Sequence, residues 1–465
     1  VRTAFVILRY LLFHVLFRKS SKRHPLFPAT DVLVKRRKPV MLPAVMIFRG
    51  LPDGGRLGSW AWVAGWTLAI FLTIPFARAI QRFFEAILGS HLYLAASGIA
   101  GAFFVIIALT YIFRRRKTNI AKRVTWLVIL TACSVWVMKF QLQTPGEAIH
   151  FFQYGILSFL LFRAWSHYIR DPFIYIISAF SIVLLASVDE FLQWMIPGRY
   201  WDFRDIRLNL MAGVLVQLFI ALVIHPSGIT RPVARRSVRW FCRLAVMSLL
   251  TMGVALSNTP ARVDLYATRI PFLRFLANNE SVMNEFGFRH SDPSIGVFFS
   301  RFPAPELLRI DAERGAEAGD ILARYRILAD YREFLQTFTS SVDPFLHELR
   351  VHLHRRDHYE AVAWKYRDSD PVRFIHHLTV AERENRILET YFPHSLATSG
   401  YAWPEEMRAR VQEFADPAMP YTSAVSDHLV TGASELELWV ALALAGLILA
   451  GVYYRYGRRL PATVQ

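Results

Sequence analysis

The chain has 465 residues, of which 54% are hydrophobic, 14% aromatic and only 19% charged, with a formal charge of +18. This is greasier than an ordinary soluble domain. The basic excess sits in short loops beside apolar runs, the arrangement that orients helices in a membrane, and no nucleic-acid motif accompanies it, so nucleic acid is not an expected partner.

Val1–Phe17 carries early arginines (Arg2, Arg9), no small-residue cleavage site and an apolar body short for a span. It predicts an interfacial helix rather than a signal peptide. Seven apolar runs follow, at Trp60–Ile80, His91–Phe113, Thr125–Leu142, Glu147–Trp165, Pro172–Ile196, Ile206–His225 and Trp240–Ser257. An eighth, Leu436–Tyr456, comes after a long polar gap. Each has about 18–25 residues, enough to cross roughly 30 Å of hydrocarbon, and lipid forces such runs to be helical. Basic residues at 35–38, 114–123, 163–170, 231–239 and 455–459 all fall on one side, the cytoplasm, if eight runs cross. Trp60, Trp62 and Trp66 fit an interfacial anchor. Cys133 and Cys242 lie in separate runs and read as neither a disulfide nor a metal site.

The predicted fold is an all-α polytopic membrane bundle of about eight transmembrane helices with an inserted extracytoplasmic α+β domain. Residues 1–59 form a basic cytoplasmic segment, 60–124 two membrane helices, 125–257 a five-helix core, 258–435 the extracytoplasmic domain, and 436–465 the last span with a basic tail. Within 258–435, the stretch from Arg314 to Phe338 predicts one amphipathic helix. Leu349–Trp364 alternates like two strands around Asp357 and His358, which would turn His352 and His354 to solvent. Thr379 and Glu382 stand at capping-box spacing, and Pro404 opens a further helix. His347, His358, His376 and His377 are close in sequence, read as an exposed histidine-rich face in preference to metal ligands. No nucleophile elbow or phosphate loop is present.

Three run ends converge on the outer face. Glu147, His150 and Tyr154 share one helical stripe by their i, i+3, i+7 spacing. Asp189 and Glu190 lie about two turns before Pro197, with Gln193 beside them. Asp202, Asp205 and Asn209 repeat the i, i+3, i+7 pattern, and Gly213 would permit close helix approach. Arg199, Arg204 and Arg207 supply positive charge. Ionised groups below the interface cost several kcal/mol unless paired or wetted, so a shared polar pocket is expected.

These residues resemble the VanZ-like membrane protein family. The resemblance rests on Glu147, His150, Phe151 and Tyr154, then Asp189, Glu190 and Gln193, then Pro197, Gly198, Arg199, Asp202, Asp205, Asn209 and Gly213, within about Trp126–Ile224. It implies a role at the cell envelope related to teicoplanin resistance, without an established reaction. The first motif position is often Asp or Asp-Lys in that family, whereas here it is Glu147 followed by Ala148.

Two function classes follow. As a lipid- or precursor-modifying site, His150 is the acid/base, Glu147 orients it, Asp189 or Glu190 is the second carboxylate, and Arg199 holds a phosphate or carboxylate. Tyr154, Gln193, Asp202, Asp205 and Asn209 are then binding residues. As a binding, sensing or transport module, the same polarity is a structural latch between helices. A metal held by Glu147, His150, Asp189 and Glu190 is a side branch with only one imidazole, and no cofactor is expected. The expected partners are membrane lipid and an envelope lipid or glycopeptide ligand. The 258–435 domain is read as a ligand- or partner-binding unit or a cap over the pocket.

Overall fold

The computed structural model describes residues 55–76, 91–115, 118–142, 147–196, 201–229, 232–278, 282–325 and 330–457. The interfacial helix expected at Val1–Phe17, the basic segment at 35–38 and the turn carrying Arg199 lie outside the described residues.

Each of the eight apolar runs is helical over most of its described residues. They form α1 (Gly55–Thr73, prolonged by a 3-10 turn Ile74–Phe76), α2 (His91–Arg115), α3 (Ile120–Phe140) and α4 (Glu147–Trp165). They continue as α5 (Phe173–Trp194), α6 (Phe203–Phe219, continued by a π turn Ile220–Ile224) and α7 (Arg235–Ser257), and the last becomes α15 (Glu435–Gly457). Six are long and apolar enough to cross a membrane: Gly55–Phe76, Ile120–Phe140, Phe173–Trp194, Phe203–Ile224, Arg235–Ser257 and Glu435–Tyr456. Glu147–Trp165 has 19 residues and carries Glu147 and Arg163 in its end turns.

The centre of this bundle is α4, α5 and α6 packed on one another. Helix α3 runs along α6, α2 along α3, α1 along α4, α7 along α5 and α15 along α7. Tyr154, Leu157, Ile174, Ile177 and Ile182 are buried in a single apolar cluster. On α15, by contrast, Leu444, Leu447 and Ile448 face outward, as a lipid-contacting helix requires. Small and polar residues set the helix spacing. A Cβ built on Gly213 would lie 3.0 Å from Ile182 Cγ1, so α6 rests directly on α5. Ser158 Oγ donates to the Gly213 carbonyl at 2.9 Å, and Gln217 Nε2 donates to the Ser158 carbonyl at 2.9 Å and to its hydroxyl at 2.8 Å.

At one end of the bundle, buried Arg123 on α3 donates to the carbonyls of Val223 and Ile224, closing the π turn before His225 turns left-handed at φ 48°. Nearby in sequence to the α5 start, Asp171 accepts from Phe173 N at 3.0 Å, Ala234 N at 3.1 Å and Ser237 Oγ at 2.5 Å, joining the first turns of α5 and α7. The opposite end carries the residues of the candidate site.

Between α7 and α15 the chain is mostly helical: α8 (Pro260–Arg269), a 3-10 stretch Pro271–Asn278, then α9 (Ala304–Arg324), α10 (Asp330–Thr337), α11 (Pro344–Ala363), α12 (Pro371–Tyr391), α13 (Pro393–Ser399) and α14 (Glu405–Phe414). Among the described residues the β component is one antiparallel hairpin, β1 (Phe288–Asp292) and β2 (Gly296–Ser300), with Phe288 opposite Ser300. The segment is rooted at both ends. Asn258 accepts from Tyr266 Oη at 2.8 Å and from Met283 N at 3.2 Å, and Arg262 pairs with Glu435 at 2.7 Å.

Several expectations in this segment are corrected. Leu349–Trp364 is not a pair of strands: Leu349 to Ala363 belongs to α11, whose Phe345, Leu346, Leu349 and Leu353 recur at helical spacing and are all buried. His352 therefore does not face solvent but is 1% exposed. Thr379 is no cap: it lies inside α12, its hydroxyl returning to the Ile375 carbonyl at 2.8 Å, while Asp370 caps the helix by accepting from Arg373 N at 3.0 Å. The single helix expected from Arg314 to Phe338 is divided, α9 ending at Arg324 and α10 starting at Asp330. The helix expected after Pro404 is α14.

Candidate functional site

The last turn of α3, the first turn of α4, the last turn of α5 and the first turn of α6 meet at one end of the bundle. Asp202 starts α6 by its side chain, accepting from Arg204 N at 2.6 Å, and the acid suits the positive end of a helix. Its own backbone N–H is not left to lipid: it donates to Glu190 Oε2 at 3.1 Å. The other Glu190 oxygen accepts from Gln193 Nε2 at 3.1 Å. Glu190 thus fastens the end of α5 to the start of α6. Asp189, fully buried beside it, accepts from Tyr154 Oη of α4 at 3.0 Å.

The third connection is ionic. Arg204 Nη2 lies 2.7 Å from Glu147 Oε2, with side-chain exposures of 18% and 13%, and it also donates to the Gln141 carbonyl at 2.6 Å. Asp205 is 3.8 Å from the same guanidinium. Arg207 reaches the Gln141 side chain at 3.5 Å. Like-charged neighbours of Glu190 are Asp205, Asp189 and Asp202. Such a density of acids in a mostly buried junction needs the hydrogen bonds just described.

Of the residues singled out in the sequence, Tyr154 joins Asp189, while Gln193 and Asp202 join Glu190. Glu147 joins Arg204. His150 is half-buried in the first turn of α4, and Asn209 is 2% exposed inside α6. Arg199 lies outside the described residues. Sequence reasoning missed Gln141, whose position at the end of a run gave no chemical signal. It also missed the Ser158–Gln217 pair and Asp171, although the Asp-Pro step at 171–172 is itself a helix-start signal. Among the described residues, no three His, Cys, Asp or Glu come together as metal donors.

A second polar centre lies in residues 258–435. Glu384, fully buried on α12, accepts from Tyr421 Oη at 2.5 Å and Ser423 Oγ at 2.7 Å, and pairs with His352 at 2.6 Å and Arg355 at 2.9 Å. Burial alone would raise its pKa, but His352, Tyr421 and Ser423 outweigh it and hold the carboxyl below its ordinary value. Glu285 is likewise held low against its burial, by His428 and by Arg301, which bonds both its oxygens at 2.7 and 2.8 Å. Arg301 also reaches buried Glu348 at 3.0 Å. These carboxylates are saturated by partners and act as the polar frame of the segment.

Helices of membrane-crossing length, joined at one end by a buried polar junction, define a multi-span membrane protein. Residues 5–225, a little under half of the chain, match the family described as VanZ/LLP1, and in this region the chain is similar to that family. The match begins well before the motif-bearing stretch Trp126–Ile224 and takes in α1 and α2 as well. No curated protein and no solved structure matches the chain.

Proposed function

We propose that this VanZ-like chain is a multi-pass protein of the cell membrane with eight spans, and that residues 258–435 lie on its extracytoplasmic side. The alternation of basic loops between the helices supports that orientation. On this topology the polar junction lies at the outer surface, where it binds an envelope lipid or glycopeptide precursor and so lowers susceptibility to glycopeptides such as teicoplanin. Residues 258–435, tethered by α7 and α15 to the same face, cap that junction.

Binding without chemistry is the favoured mode. The observation that carries it is Glu190: both of its oxygens already accept hydrogen bonds, from Gln193 and from the Asp202 backbone. Glu147 is likewise engaged, by Arg204 at 2.7 Å. These acids fix helix ends. Modification of the same ligand is the second mode, favoured by half-buried His150 in the stripe of Glu147 and Tyr154.

The test compares wild type with His150→Ala and with a chain lacking Thr259–Ser434, scoring teicoplanin susceptibility in a host without the gene and precursor binding by the purified protein. Binding without chemistry predicts that protection and binding change together. Loss of protection by His150→Ala with folding and binding intact would establish chemistry instead. Full protection without Thr259–Ser434 would remove the cap.

A further inference from the structure

A groove of about 540 Å³ runs between α2 and α3. This is within the ~300–1,000 Å³ range of small-molecule sites. Val105 and Leu109 form one wall, and Leu127, Thr131 and Trp136 the other. The one hydroxyl among these is already engaged, Thr131 Oγ1 donating to the Leu127 carbonyl at 2.8 Å, so the walls are effectively apolar. Lys139 stands at the end of the groove, exposed, with the Phe140 ring 5.3 Å away and no acidic partner among the described residues. Two residues further on, Gln141 receives Arg207, which is also exposed and also has no carboxylate partner among the described residues. An apolar trough with Lys139 at its end and a second cation, Arg207, on neighbouring Gln141, neither with a carboxylate partner among the described residues, matches one kind of molecule: an apolar chain with a negative head.

We propose that this groove holds an acyl chain of an anionic glycerophospholipid of the outer leaflet, with its phosphate on Lys139 and Arg207. The inference rests on the membrane orientation given under Proposed function. It specifies that junction's surroundings, because Gln141 also takes the Arg204 bond at 2.6 Å and so borders both the lipid head and the polar junction. A zwitterionic lipid would bring its own cation to the same rim and lose the advantage. Near a membrane surface each basic residue is worth roughly a fivefold preference for an anionic lipid.

The full chain is reconstituted in nanodiscs containing diazirine-tailed phosphatidylglycerol or diazirine-tailed phosphatidylcholine, and cross-linked peptides are mapped. Phosphatidylglycerol is expected to label residues 105–109 and 127–136 several-fold more than phosphatidylcholine. Lys139→Gln with Arg207→Gln should bring it down to the phosphatidylcholine level, and Ala132→Trp should lower both by filling the trough. Equal labelling by the two lipids in the wild type, or an excess that survives loss of both cations, overturns the proposal. Orientation is read separately with Lys139→Cys in a Cys133→Ser background and a membrane-impermeant maleimide. Modification from outside supports the outer-leaflet assignment, and modification only from inside overturns the topology while leaving the lipid preference to the cross-links.

Discussion

Arg204, in the first turn of α6, reaches Glu147, the first residue of α4, at 2.7 Å and holds the Gln141 carbonyl at the end of α3 with the same nitrogen. One side chain thereby gathers three helix ends. Exchange of either partner for glutamine is expected to destabilise the protein, and the double variant to lose less than the sum. The coupling should be about 1–3 kcal/mol. Thermal unfolding in detergent of the wild type, Glu147→Gln, Arg204→Gln and the double variant measures it; additive losses would show that the pair is not coupled.

The Tyr154 hydroxyl and Asp189 form the deepest link of the junction, both fully buried. Tyr154→Phe removes one donor and should cost about 1–3 kcal/mol, because it leaves a buried acceptor short of a bond. Asp189→Asn keeps an acceptor for the tyrosine and should cost less than Asp189→Ala. Unfolding in detergent ranks the three.

Gly213 is a packing device. A methyl group there would meet Ile182 at 3.0 Å. Gly213→Ala should lower stability, and Gly213→Leu should cost at least about 1–3 kcal/mol of overpacking. Ile182→Ala should partly rescue Gly213→Ala while being destabilising alone. If Gly213→Ala is neutral and Ile182→Ala offers no rescue, the close approach of α5 and α6 is not what constrains that position.

Acid should loosen residues 258–435 in two windows. Burial holds the His290 imidazole below its ordinary pKa, as it does for His347. The unfolded chain therefore binds protons first, and stability falls as pH drops below about 6.5. Glu384 and Glu285 are held below the ordinary carboxylate value, so their contribution is present above about 4.3 and lost as pH falls further. Fluorescence of Trp364 and Trp403 against denaturant, from pH 3 to 8, should show both. His290→Phe should flatten the upper window and Glu384→Gln the lower. Since Glu384→Gln also breaks a buried charge cluster, it should cost on the order of 3–5 kcal/mol at pH 7.

The membrane helices were legible because lipid leaves one solution for a long apolar run, and the polar triplets on α4 and α6 were legible because their spacing matches a helix turn. The partners within the junction were not. Glu147 looked suited to orient His150, three residues along the same helix, and spacing along one helix could not signal that tertiary packing also brings it Arg204 from 57 positions away. Helix α11 was misread for a specific reason. Val351-His352-Leu353-His354 alternates over four residues, and polar His352 and Arg356 are buried by pairing, which hid the longer period carried by Phe345, Leu349 and Leu353. The better signal was Asp-Pro: Asp343-Pro344 and Asp370-Pro371 open α11 and α12 in the same way, each aspartate accepting from the third backbone N–H beyond it.

Helix α3 is riveted to α6 at both extremities, through Arg123 on the Val223 and Ile224 carbonyls and through Gln141 on Arg204. Two rods bolted top and bottom can neither slide past nor roll over one another. They tilt as a single plank. Anything that wedges between α2 and α3 is therefore expected to shift Arg204 as well, and through it the root of α4, which would give the greasy side of the bundle a mechanical hold on its charged end.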